Sequence, residues 1–164
     1  MQDVNGNLWK GAVAGLAAGL AASYVMNQFQ SLSAKLVEKD DKEEKDGEDA
    51  TVKTAEAISE GIFHHELTPS EKKVAGPAVH YSFGALTGGV YGALAELNPA
   101  VTRGAGLPFG TTVWLGADEV AVPAFHLSGP PTSTPPSVHV QALAAHLVYG
   151  LATETVRRLV RRVL

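Results

Sequence analysis

The chain of 164 residues contains no cysteine. That excludes disulfides and thiolate metal sites. Aromatic residues are sparse at 7% and no basic face interleaves with them, so nothing points to nucleic acid as a partner. No nucleophile motif, phosphate-binding loop or zinc-hydrolase spacing occurs, and an enzyme is not expected. Charge is also scarce along most of the chain. The formal net charge is only -4, and most charged residues lie between Lys35 and Lys73 or in the last few positions. The run "EKDDKEEKDGED", Glu38 to Asp49, has no apolar side chain to bury. It is expected to be a solvated loop and the least ordered part of the protein.

What remains is four blocks rich in Ala, Gly, Val and Leu. They predict one all-α domain over residues 1–164, an integral membrane bundle of four transmembrane helices with spans near 8–29, 72–97, 104–126 and 137–157. A long charged loop, residues 30–71, follows the first. A bilayer core needs about 20 helical residues, and the first block supplies them with Trp9 and Tyr24 near its ends, where amphipathic rings favour the interface. A signal peptide is the rival for this block, but no clear cleavage pattern follows it. A soluble Ala-rich bundle is the rival for the whole chain, but the first block lacks a polar face. Thr68, Pro69 and Glu71 form a capping-box start for the second helix, and Pro77 is expected to kink it. Gly11, Gly15 and Gly19 recur every four residues, as do Gly84, Gly88 and Gly92. Such stripes let helix backbones approach closely in lipid. In the first loop, Val52, Ala55, Ile58, Ile62 and Phe63 have roughly helical spacing, which suits a short helix on the membrane surface or against the bundle. His64 and His65 at its end are more simply solvated than metal-bound.

The third block sets Asp118 and Glu119 side by side in an apolar stretch. Counting from the span ends, Asp118, His80 and His146 each lie about eight residues inside the same boundary, or about 12 Å deep. His139 and His146 share a helix face, and Tyr149 lies nearby on the same span. Intramembrane charges are costly and normally face a partner inside the bundle. Asp118 is therefore expected to pair with His80 or His146, within a buried polar layer of His80, Asp118, Glu119, His139, His146 and Tyr149. Glu119, about 100° further round, is expected to face another helix, another subunit or a water-filled cleft. Pro123 is expected to free the Glu119 carbonyl. Glu96 and Glu154 lie toward the arginine-rich end and are expected to pair with Arg103 or Arg157 at the interface. The arginines after the fourth span argue for cytoplasmic termini, while the lysines of the first loop argue the other way. The arginines lie directly against a span end and are given precedence.

Two stretches, "HYSFGALTGGVYGALAELNP" and "ADEVAVPAFHLSGPP" with the following "VHVQALAAHLVYGLATETVRR", resemble the C-terminal half of the YagU-like proteins, bacterial inner-membrane proteins built around a domain of unknown function. The similarity covers roughly residues 79–158 and includes His80, Gly92, Pro99, Pro123, His146, Glu154 and Arg157. That family often has a His near Asp118 and Glu119, so no chemistry carries across there. The resemblance implies a multi-pass protein of the bacterial inner (cytoplasmic) membrane with cytoplasmic termini. It implies no mechanism.

Three functions compete. Alternating His and carboxylate groups can pass protons or ions. Alternatively, the glycine stripes and small number of spans suit a structural or accessory subunit, as a homo-oligomer or in a larger membrane complex. Thirdly, His80, Asp118 and His146 could hold a metal, or the two histidines a haem. The cofactor is left unknown, and the expected partner is the lipid bilayer.

Overall fold

The computed structural model describes residues 4–37 and 49–164. Among them every regular element is helical and none is a strand. Helix α1 spans Val4–Val37, α2 spans Ala50–Ile58 and continues into a π-helical turn, Ser59–Phe63. Helix α3 is Pro69–Leu97. A 3-10 turn, Pro99–Thr102, leads to α4, Leu107–Trp114. This helix runs on through a π-helical segment, Leu115–Ala121, into the short α5, Val122–Ala124. After a second 3-10 turn, α6 covers Pro136–Arg161. Among the described residues one helix, α1 over Asn7–Leu36, is long and apolar enough by composition to cross a membrane.

The interval 30–71 is not one loop. Residues 30–37 extend α1, and α2 with its π turn occupies much of the rest. Asp49 starts α2 by accepting a hydrogen bond from the Thr51 N–H at 2.9 Å, so the local cap outweighs the polar composition. Apart from Asp49, the charged run lies outside the described residues. Helix α2 packs on α3, where Val52 lies against Gly76, and Lys72 pairs with Glu56. Ala55 is buried, whereas Ile58, Ile62 and Phe63 stay exposed. The capping box at α3 is complete: Glu71 N–H donates to Thr68 Oγ1 at 3.4 Å, and Thr68 N–H donates back to Glu71 Oε2 at 2.8 Å. Thr68 Oγ1 also donates to this carboxylate at 2.7 Å. These Thr68 contacts, with His65 adding to them, hold the Glu71 carboxyl down at about 2. Helix α3 runs uninterrupted through Pro77.

Backbone contacts set the arrangement. A β-carbon at Gly11 would collide with the Gly92 carbonyl, one at Gly15 with Gly88, and one at Gly19 with Gly84. The paired numbers run in opposite directions, so α1 and α3 are antiparallel along the two glycine stripes. A second seam joins α4 and α6. Gly106 lies against the Gly150 carbonyl and Gly110 against the His146 carbonyl, again antiparallel. Gly106 has a φ of 85°, a left-handed conformation that glycine adopts freely. Helices α1, α3, α4 and α6 therefore run alternately up and down. Arg161 bonds both Asn7 and Glu96, which places the start of α1 beside the ends of α3 and α6.

The interior is built from small side chains. Ala14, Ala18, Ala22, Ala85, Ala95 and Ala145 are buried with Tyr91, Tyr149, Thr153 and Ser23. Large apolar residues face outward instead: Leu16 and Leu20 on α1, Phe83, Leu86 and Val90 on α3, Leu115 on the π segment and Leu151 on α6. Because a Cβ cannot fit in the first seam, Gly15→Leu should lower stability by at least about 1–3 kcal/mol, read as a lower thermal midpoint in detergent. At Gly61 an added β-carbon would have nothing within 4 Å, so Gly61→Ala should leave the midpoint unchanged.

Candidate functional site

Asp118 and Glu119 lie within the π-helical segment, not on a regular α-helix. Single π turns occur frequently at functional sites. Here the wider turn carries two adjacent acids toward α6, where each meets a histidine. Glu119 Oε1 lies 2.5 Å from His139 Nδ1. The other ring nitrogen of His139, Nε2, is 3.0 Å from the Pro131 carbonyl. A carbonyl only accepts, so Nε2 carries a hydrogen. One further proton then lies between Nδ1 and the carboxylate, on either the imidazole or the acid. Glu119 thus faces the neighbouring helix, the first of its three expected surroundings.

Asp118 Oδ2 lies 3.6 Å from His146 Nδ1, too long for a hydrogen bond. That nitrogen instead donates to the Ala142 carbonyl at 2.9 Å. The donation fixes the tautomer, so a second proton must enter at Nε2. Asp118 acts on this ring by charge. His146 is buried, but the Asp118 side chain is 36% exposed, which leaves the pair in contact with the outside.

His80 lies within electrostatic reach of Asp118 and His146 but bonds neither among the described residues. It forms no ion pair with Asp118 among the described residues, and its Nε2 is buried without a hydrogen-bond partner. It lies one turn before Gly84, whose α-carbon abuts Ser23, and so on the α3 face turned toward α1. Matched depth is insufficient because the glycine seam fixes the rotation of α3. Tyr149 is also set apart from the acids. Its hydroxyl donates to the Gly84 carbonyl at 2.6 Å and lies 2.9 Å from Thr87 Oγ1, tying α6 to α3. A metal site at His80, Asp118 and His146 is not formed: among the described residues no group of three His, Asp or Glu side chains is placed to hold an ion. His65 pairs with Glu71 at 3.2 Å and is exposed.

Pro123 also acts one residue away from expectation. The Val122 N–H bonds the Ala117 carbonyl, five residues back. Continuing that pattern, the N–H missing from Pro123 would have bonded the Asp118 carbonyl, not that of Glu119.

A second polar cluster closes the opposite end of the bundle. Glu154, only 1% exposed, accepts from Arg157 Nε at 2.7 Å and Arg157 Nη2 at 3.0 Å. It also accepts from Arg158 Nε and from the Tyr91 hydroxyl at 3.0 Å. Tyr91 stacks on Phe109 with ring centroids 4.2 Å apart, which binds α4 into the cluster. Glu96 pairs with Arg161 at 2.7 Å, not with Arg103, because Arg161 lies two helical turns beyond Glu154 on the inward face of α6. The sequence pattern points to an interfacial Glu154 and misses its burial. The one signal for the cluster is the spacing of Glu154, Arg157, Arg158 and Arg161. Removing the acid would strand the buried Arg157, so Glu154→Ala should cost about 3–5 kcal/mol in thermal unfolding. Adding Arg157→Met should recover part of that loss.

The comparisons follow the same boundaries. No curated protein and no solved structure matches the chain. A family model described as a protein of unknown function, DUF1440, matches residues 53–155, which contain both carboxylate–histidine pairs and Glu154. Since that match spans more than half of its length, the chain belongs to the DUF1440 family.

Proposed function

We propose that the chain is a YagU-like, four-span protein of the bacterial inner membrane that passes protons through the Glu119–His139 and Asp118–His146 pairs. The four-span reading is supported by the inverted distribution of side chains. Leucine, valine and phenylalanine lie on the outside of α1, α3 and α6 and of the helical run from α4 to α5, while alanine, glycine and polar groups fill the inside. Exposed apolar surface on every side of a bundle is what lipid covers and water does not. Arg103 and the arginines of α6 gather at the end shared by the start of α1, which favours cytoplasmic termini.

The proton reading rests on one observation: two acids on a π-helical segment each face a histidine of α6. The shared proton between Glu119 and His139 can move without a change in geometry. His146, with Nδ1–H committed to Ala142, can take a second proton only at Nε2, and the Asp118 carboxyl lies 3.6 Å from the other ring nitrogen, Nδ1. Only N–H and O–H bonds are exchanged, and no catalytic role is assigned. The first glycine seam is spent between α1 and α3 of the same chain. It therefore supplies no reason for a second subunit.

The test is pH-driven proton flux into proteoliposomes holding an internal pH dye. Asp118→Asn and Glu119→Gln should each lower the flux at least about ten-fold, equivalent to ~1.4 kcal/mol in a barrier. Ser133→Ala, in the turn before α6, should leave it unchanged. Wild-type vesicles no more permeable than protein-free ones would contradict the proposal and favour a purely structural role.

A further inference from the structure

The arginine-rich end holds a cleft of about 190 Å3 between the last turns of α6 and Ala105 in the turn before α4, bordered by Glu154, Thr155, Arg158, Leu159 and Arg162. Drug-sized ligands occupy about 300–1,000 Å3, so this space suits a smaller group. Its charge is positive. Glu154 is fully committed to Arg157, Arg158 and Tyr91, and its negative charge is offset inside the cluster. Arg158 uses only Nε there, and its terminal nitrogens make no hydrogen bond among the described residues. Arg162, the C-cap of α6, likewise has no ion-pair partner among them, and it follows Arg158 by four residues at the same cleft. One side of the cleft is apolar: Leu159 lines it and Leu151, two turns earlier on the same face, is exposed.

We infer that this cleft binds the phosphate of an anionic phospholipid, with Arg158 and Arg162 on the headgroup and the acyl chains along Leu159 and Leu151. Planar guanidinium groups match phosphate oxygens two at a time. Basic pockets between helices at a membrane surface are suited to such headgroups. Free inorganic phosphate would satisfy the arginines but leave the leucine face uncovered, which is why a lipid is the ligand. The inference rests on the four-span reading of the preceding subsection.

Full-length protein in mild detergent would be offered phosphatidylglycerol, phosphatidylcholine or inorganic phosphate, and the bound ligand counted by native mass spectrometry. Phosphatidylglycerol should be retained over phosphatidylcholine. Arg162→Gln should weaken that retention about five-fold, the factor for one arginine at an anionic surface, while Arg162→Lys keeps most of it and Arg103→Gln leaves it intact. Arg162 is exposed and unpaired among the described residues, so its loss does not threaten the fold. Equal retention by wild type and Arg162→Gln would overturn the site. Retention of inorganic phosphate without phosphatidylglycerol would overturn the lipid as its ligand. Carbonate washing of cell membranes separates the two levels: wild-type protein that washes off defeats the four-span reading, whereas protein that stays but ignores Arg162→Gln defeats the cleft alone.

Discussion

Two helix pairs touch through their backbones, and the rest of the molecule follows from that contact. Where Gly15 meets Gly88 and Gly106 meets Gly150, no β-carbon fits between the chains. Helices held that close leave little interior volume for large side chains. The core is therefore mostly alanine, serine, threonine and two tyrosines, joined by Met26 with Phe29 and Phe109 against it, and most of the bulky apolar residues are displaced to the outside. Small residues at helix interfaces are the expected solution where the surroundings are as apolar as leucine and offer little drive to bury it. The same closeness lets side chains reach backbone atoms, as Tyr149 does when it donates to the Gly84 carbonyl.

The two ends of the bundle treat charge differently. At one end Glu154 is saturated by two arginines and a tyrosine, and Arg161 links Asn7 to Glu96. Buried ion pairs are weak evidence for net stability, but removing one member is strongly unfavourable. This end is accordingly a fixed clasp on α1, α3 and α6. At the other end, the acids carried by the π segment face imidazoles, whose protonation changes near neutral pH in the free side chain. A carboxylate and an imidazole can exchange a proton, whereas a carboxylate and a guanidinium effectively cannot. Asp118 remains partly open to the exterior, and Glu154 is closed off.

Much of the helical plan is legible in the sequence. The Thr68–Glu71 capping box and both glycine stripes of the first seam are local patterns, and local patterns survive folding. The failures share a different cause. Residue depth can be counted along a helix, but rotation is set by the partner helix, so His80 turns toward α1 although its level matches His146. The π segment leaves no composition signature in the residues Leu115–Ala121. Gly106, Gly110 and Gly150 are too few to stand out as a stripe, and the second seam is visible only in three dimensions. In the interval 30–71, the helical spacing from Val52 to Phe63 points to the short helix α2, whereas the extension of α1 through residues 30–37 has no such signal.

The proposed four crossings of a bilayer are directly measurable, because the chain has no native cysteine. Single cysteines at Thr102, Ser133 and Leu86 can be exposed to a membrane-impermeant maleimide in right-side-out and inverted vesicles. Thr102 lies in the turn between α3 and α4, Ser133 in the turn before α6, and Leu86 on the outward face of mid-α3. A four-span bundle requires Thr102 and Ser133 to label from opposite sides and Leu86 to stay unreactive, because thiolates do not form in lipid. Labelling of both turns from the same side, or of Leu86 as fast as the turns, would contradict it.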